Sequence, residues 1–164
     1  MVYIVLRDAD DRLTPDPTLA YYNVPGGFNT WQAFVDYDTT KLVVAPLVPA
    51  DNNNGCLMVG NCTGTNGVTA CGSTTTFLTV GPATNPPYYN GTIPAGQMYI
   101  LTSIACYYTL VNGPGDLWLL RFRAKDAALG TTTIRVHDVR FNNGVHYMPL
   151  PADVQATVTI GGAY

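Results

Sequence analysis

The sequence predicts an all-β fold, a single antiparallel sandwich of two sheets with about nine strands, and three observations point to it. Charged residues make up only 12% of the chain, about half of the share that is usual in soluble domains. Every acidic residue is an aspartate, and lysine occurs only at Lys41 and Lys125. The Glu and Lys side chains that fill exposed helix faces are therefore nearly absent. Short alternating segments separated by Gly, Pro and Asn recur along the whole chain, as expected of strands joined by turns.

The clearest alternation lies in residues 31–44 and 117–136. In the later stretch Trp118, Leu120 and Phe122 fall on one face, which is the period of two typical of a half-buried strand. A polar turn closed by glycine follows, and the alternation then resumes. On the inward face of the earlier stretch we expect Trp31, Ala33, Val35 and Tyr37.

The remaining strands and loops follow from the same pattern. Further strands are predicted at 2–7, 18–24, 74–80, 97–111, 138–141, 145–148 and 154–160. The connection at 45–72 has no periodicity, and the connection at 81–96 is expected to expose Tyr88 and Tyr89. No repeat or break in composition divides the chain, so residues 1–164 are predicted to form one domain. Because the chain opens almost directly on a strand, we expect a mature or excised domain without its leader.

The four cysteines predict disulfide bonds. The short paired spacings of zinc sites are absent, no histidine lies near, and the neighbourhood is not basic as a catalytic thiol would require. Disulfides imply an oxidising compartment, so we expect an extracellular or cell-surface protein whose long loop is stapled. Four cysteines allow three connectivities, of which we favour Cys56 with Cys62 and Cys71 with Cys106.

A further pattern of packing residues extends over four segments of the chain. A hydrophobic strand ends at Tyr37-Asp38 and is followed by Lys41-Leu42-Val43-Val44, a second strand runs from 115 to 125, and a restart at 130–134 precedes the closing strand at 156–160. In these segments the chain resembles the cohesin family, β-sandwich modules that capture dockerin domains in extracellular assemblies. The resemblance implies a jelly-roll type of sandwich and a dockerin-like module on a partner chain. It also implies that the partner contacts Thr30, Gln32, Phe34 and Asp36.

Phe34 raises the question of what covers the outer face. If Trp31 and Val35 face the core, then Gln32, Phe34 and Asp36 face outward. An outward Phe is costly unless another group covers it, and either a partner chain or a loop of the same domain satisfies that condition. Both alternatives remain open at this point. In type I cohesins this face more often carries polar residues, so Phe34 departs from the family pattern.

No catalytic constellation is visible in the sequence. The only histidines are His137 and His146, and alternation predicts that His137 and Asp138 point to opposite faces of their strand. A nucleophile elbow, a metalloprotease helix and a phosphate loop are all absent, and the aspartates are scattered through turns. We therefore expect a protein that is not an enzyme and that needs no organic cofactor.

Two sequence patterns concern calcium binding and glycosylation. Calcium favours carboxylate oxygens, and the candidate ligands are Asp8, Asp10, Asp11 and Asp16. An oxygen-rich loop at 51–55 is a second candidate, although Asp, Asn and Gly are also the ordinary residues of turns. Two Asn-x-Thr sequons make Asn61 and Asn90 candidate glycosylation sites.

Composition also limits the classes of partner. A net charge of −3 gives no basic footprint for nucleic acid, and no apolar run approaches the ~18 residues of a membrane span. We expect a non-catalytic module for protein–protein interaction and assembly. One alternative is a self-assembling subunit of a filament or surface layer, which would pair strand edges through residues 1–6 or 158–164. Another is a carbohydrate-binding module in which Tyr88 or Tyr89 stacks on polysaccharide.

Overall fold

The computed structural model describes residues 2–8, 28–45, 74–104, 115–125, 128–142, 147–149 and 153–161. Within these ranges every regular element is a β-strand and no helix occurs, which confirms the all-β prediction. The strands are β1 (Val2–Asp8), β2 (Thr30–Tyr37), β3 (Leu42–Val44), β4 (Thr74–Val80), β5 (Ala83–Thr84), β6 (Thr92–Ile93), β7 (Gln97–Ile104), β8 (Gly115–Ala124), β9 (Gly130–Asn142), β10 (Tyr147–Pro149) and β11 (Val154–Ile160). The predicted strand at 18–24 and the cysteine-containing loop up to residue 72 lie outside the described residues, except for Ala45.

The strands form antiparallel sheets of unequal size. The large sheet has the order β10-β9-β2-β7-β4, and β11 pairs with β9 beside β10. The small sheet has the order β1-β8-β3, and β5 and β6 form a separate two-stranded ribbon. The two terminal strands that we considered for pairing between subunits are thus each paired within the chain along one edge, β1 with β8 and β11 with β9.

One apolar core lies between the large and small sheets, an arrangement consistent with a β-sandwich. From the large sheet the core takes Trp31, Ala33, Val35, Met98, Ile100, Ile134, Val136, Val139, Phe141, Val158 and Ile160. From the small sheet it takes Leu42, Leu117, Trp118, Leu120 and Phe122, and Phe28, which precedes β2, also belongs to it. The predicted inward faces of β2 and β8 are confirmed, and Tyr37 packs against the edge of the same cluster.

The strand β9 differs from the prediction in one important respect. We expected a break before residue 138, but β9 is continuous over 13 residues and pairs with β2 along most of its length. Continuity requires a β-bulge, because Phe34 pairs with His137 whereas Gln32 pairs with Arg140. Asp138 takes up the extra residue with a φ of 48°, a left-handed conformation that Asp tolerates better than most residues.

The turn between β2 and β3 is held by the side chain of Asp38. Asp38 Oδ1 accepts hydrogen bonds from Thr40 N (2.8 Å) and Thr40 Oγ1 (2.6 Å), which is the Asx arrangement expected of Asp at the start of a turn. The Asp38 carbonyl accepts from Lys41 N and Leu42 N and returns the chain into β3. The Lys41 ammonium then donates to the Thr131 carbonyl on β9, so the turn connects the two sheets.

We predict that this turn contributes to the acid sensitivity of the fold. The hydrogen bonds from Thr40 hold the pKa of Asp38 below its ordinary value, so the carboxylate stabilises the fold above about pH 4 and the contribution is lost as the pH falls through the lower, folded-state pKa. The drop in melting temperature on acidification should therefore be smaller in Asp38→Ala than in the wild type. Thermal unfolding at neutral and acidic pH measures this, and identical pH profiles for the two proteins would contradict it.

Candidate functional site on the outer face of the large sheet

The outer face of the large sheet gathers the β2 residues that the sequence singled out. Thr30, Gln32, Phe34 and Asp36 alternate with the core residues and share this face. Their cross-strand neighbours arrange the face in rows. Asp36 lies between Gln97 and Arg135, Phe34 between Tyr99 and His137, and Gln32 between Leu101 and Arg140.

The middle row is aromatic and is covered by the chain itself. The Phe34 ring centroid lies 5.1 Å from that of Tyr89, 5.2 Å from that of Tyr99 and 5.6 Å from that of His137, which stacks on it. Phe34, Tyr99 and Ile93 belong to a second hydrophobic cluster, separate from the core between the sheets. Phe34 is only 8% exposed. Of the two ways to cover an outward Phe, the structure thus shows the loop of the same domain.

The covering loop, residues 81–96, is anchored at both ends. Gly81 N donates to Gln97 O (2.9 Å), and Tyr37 N donates to Gly96 O (2.8 Å). A Cβ at Gly81 would lie 2.0 Å from the Pro94 carbonyl oxygen, so only glycine allows the two arms of the loop to approach this closely.

The two tyrosines at the tip of this loop have different environments, although we expected both to be exposed. Tyr88 is 74% exposed, with its ring 4.7 Å from that of Phe77. Tyr89 instead turns toward the sheet, where its ring centroid lies 5.3 Å from that of Tyr99. The pair therefore does not form one exposed aromatic strip of the kind that would bind polysaccharide.

The neighbouring row is polar and remains open to solvent. Gln97 Nε2 donates to Asp36 Oδ1 (2.8 Å), and Arg135 Nη1 lies 3.5 Å from Asp36 Oδ2. Arg135 Nε also donates to Asp153 Oδ2 (2.9 Å), directly before β11. The hydrogen bond and charge of Asp153 raise the pKa of the guanidinium above its usual value. This network connects polar side chains of three neighbouring strands and the residue directly before β11.

His137 and Asp138 form a pair that sequence reasoning missed. We expected them on opposite faces, but His137 Nδ1 lies 2.8 Å from Asp138 Oδ2, within hydrogen-bonding distance. His137 Nε2 is 3.2 Å from Asp36 Oδ2, at ion-pair distance without the alignment of a hydrogen bond. The bulge at Asp138 explains the error, because the inserted residue ends the simple alternation.

The sequence did contain a signal for this bulge. Buried side chains fall at Ile134 and Val136, then at Val139 and Phe141, so the inward positions change from even to odd numbers. Such a change of parity inside one strand is what an added residue produces.

The structure describes only some of the residues that were predicted to bind a metal or to be modified. Among the described residues, no group of three or more His, Cys or Asp side chains could hold a metal ion. Of the candidate calcium ligands, Asp8 ends β1, whereas Asp10, Asp11 and Asp16 lie outside the described residues. Asn61 and the four cysteines also lie outside, and Asn90 is exposed in the covering loop. The calcium, disulfide and glycosylation assignments stay predictions.

Comparisons with protein-family models, with curated proteins and with solved structures gave no match to this chain. The resemblance to cohesins is therefore a prediction from the sequence. Within the described ranges, no helix has the length and apolar character needed to cross a membrane.

We predict that the main role of Phe34 is to pack against the rings around it and so stabilise the fold. Phe34→Ala would remove a buried ring between Tyr89, Tyr99 and His137, and a change of this type costs about 3 kcal/mol or more of unfolding free energy. Leu129→Ala is the control, because Leu129 is 64% exposed and such a site should change stability by less than about 0.5 kcal/mol. Denaturant unfolding of both variants measures the difference. Equal stabilities would show that the loop does not pack on this face.

Proposed function

We propose that the protein is a non-catalytic interaction module that binds a partner chain on the outer face of the large sheet. The observation that carries this proposal is the ordered polar row of Gln97, Asp36 and Arg135, together with the His137–Asp138 pair beside it. Polar groups that are already oriented lose little conformational entropy on binding, and a partner strand or helix can satisfy them directly.

The covered and open halves of the face suggest where a partner binds. The covering loop occupies the half that carries Phe34 and Tyr99, so a partner reaches this region mainly through the loop surface. The open half centres on β9, where Arg135, Asp138 and Arg140 are exposed. Of the four contact residues that the resemblance implies, Asp36 lies at this open half and Gln32 accepts a hydrogen bond from Tyr99 at its border. We therefore place the main contact on β9 and Asp36, with Phe34 beneath the adjoining loop.

The partner class follows from the resemblance and from the charge pattern. In cohesins the partner is a dockerin domain, and a dockerin-like module is the partner that we propose here. The open half of this face offers guanidinium donors and carboxylate acceptors side by side, so it suits a surface with both kinds of polar group. Arginine is also the charged residue most often found at the energetic centre of interfaces.

The same proposal includes the finer architecture and the location of the protein. We propose a cohesin-like sandwich of the jelly-roll type with a disulfide-stapled loop, exposed outside the cell. The core shared by the two sheets supports the sandwich. The even number of cysteines supports an extracellular domain.

The disulfide component predicts a simple chemical result. Protein secreted through an oxidising compartment and denatured without reductant should take up no alkylating reagent, whereas reduced protein should take up four equivalents. Intact-mass spectrometry before and after reduction measures this. Alkylation of the unreduced protein would remove the support for a stapled loop.

The binding component is tested with Arg135→Ala against a panel of dockerin modules. Arg135 joins Asp36 to Asp153 on the open half, so its loss should weaken binding about tenfold, which corresponds to about 1.4 kcal/mol. Folding should change little, since exposed ion pairs contribute less than about 1 kcal/mol. Biolayer interferometry with immobilised dockerins gives the affinities.

The matched control for this test is Arg123→Ala. Arg123 is exposed on β8, on the side of that strand opposite to the buried Phe122, so it lies away from the large sheet. Binding by Arg123→Ala should equal that of the wild type. Failure of every dockerin to bind, or equal losses in the two variants, would contradict the proposal.

A further inference from the structure

The strand β4 is an edge strand with an unusual composition. It ends the large sheet next to β7, and among the described residues no strand pairs with its other side. Its register with β7 is regular over all seven residues, without a bulge. Its sequence, Thr-Thr-Thr-Phe-Leu-Thr-Val, has no charge, no proline and no glycine. Such a flat, uncharged edge is a template for another strand.

The other described edges of the two larger sheets each carry or adjoin a feature that discourages pairing. The register of β1 with β8 shifts between Leu6 and Arg7, where β8 contains one extra residue, and β1 then ends in a charged pair, Arg7 and Asp8. β3 and β10 have only three residues each, and β10 contains Pro149. β11 is uncharged and regular like β4, but the ion pair of Asp153 with Arg135 lies directly before its first residue. Bulges, charges, proline and short length are the usual means by which proteins protect sheet edges, and β4 has none of them.

Two exposed apolar side chains mark the same strand. Leu78 and Val80 pair in register with Ile100 and Met98, which are fully buried, so they point to the same side of the sheet as the core. They are nevertheless 39% and 38% exposed. The small sheet has three strands, fewer than the large sheet, and the core cluster between the sheets does not include these two residues. A strand added beside β4 would bring new cover to them.

We infer that β4 pairs in antiparallel fashion with β4 of a second copy of this chain. Centring the pair on Phe77 brings position 75 opposite position 79, both threonine, and position 76 opposite Leu78. Thr–Thr and aromatic cross-strand pairs are favourable in antiparallel sheets. A two-fold axis at Phe77 makes the contact self-complementary, so the assembly closes as a dimer with one continuous sheet.

A second copy fits this edge better than an unrelated strand. The seven residues carry no charge, so two identical strands meet without the like-charge repulsion that usually prevents self-pairing. The pairing also uses a different part of the sheet from the proposed partner site. Between them lie β7 and β2, so Arg135 and Asp138 on β9 stay accessible in the dimer. The dimer would present two partner sites.

The test is the mass of the purified chain in solution, measured by multi-angle light scattering over a wide concentration range. We expect the mass to rise from 17.6 kDa toward twice that value and then to stop. Leu78→Lys places a charge on the edge and should raise the dimer dissociation constant at least about tenfold. An equimolar mixture of Leu78→Lys and Leu78→Asp should recover the dimer, because the two charges become diagonal neighbours of opposite sign.

The control is Leu129→Lys, which makes the same change at a site that is 64% exposed and outside β4. This variant should dimerise as the wild type does. Circular dichroism confirms folding, and if Leu78→Lys does not fold, Val80→Lys at the end of the strand replaces it. A wild type that stays monomeric at every concentration overturns the inference. A dimer that survives both edge variants, or one that Leu129→Lys also dissociates, overturns it as well.

Discussion

The β-bulge in β9 is the constraint on which the arrangement of the large sheet depends. β9 pairs with β2 on one side and with β11 and β10 in succession on the other, so it joins three other strands. A strand of this length can bury residues at both ends only if every second side chain keeps facing the core along its whole length. The inserted residue Asp138 restores that match, and Ile134, Val136, Val139 and Phe141 all reach the same core.

The bulge also determines the chemistry of the opposite face. It places His137 and Asp138 side by side, within reach of Asp36 on β2. His137 in turn stacks on Phe34, so the polar row and the aromatic row meet at this one ring. The loop at 81–96 then covers the aromatic half of the outer face and leaves the charged half exposed to solvent. A single backbone irregularity thus places a second small hydrophobic cluster beside an open, charged surface.

The low charge of the chain has different consequences at different places. On the outer face of the large sheet, Arg135 forms ion pairs with both Asp36 and Asp153. On the edges, the shortage of charge leaves β4 unprotected. One composition therefore underlies both the proposed partner site and the proposed association between copies. The two surfaces are separated by β7 and β2, so neither excludes the other.

The sequence alone determined the elements that depend on local pattern. Alternation predicted β2, β4, β8 and β11 and the inward faces of β2 and β8, because side chains in a strand alternate independently of what lies nearby. The Asp38 turn and the glycine that opens β9 followed from turn chemistry, and Gly130 has a φ of +90°. Only the tertiary structure decided that Phe34 is covered by its own loop and that Tyr89 turns inward, since contacts between residues 34 and 89 depend on the path of the intervening chain. It also decided the pairing of His137 with Asp138, because the change of parity along β9 indicates an added residue but not the backbone conformation that brings these two side chains together.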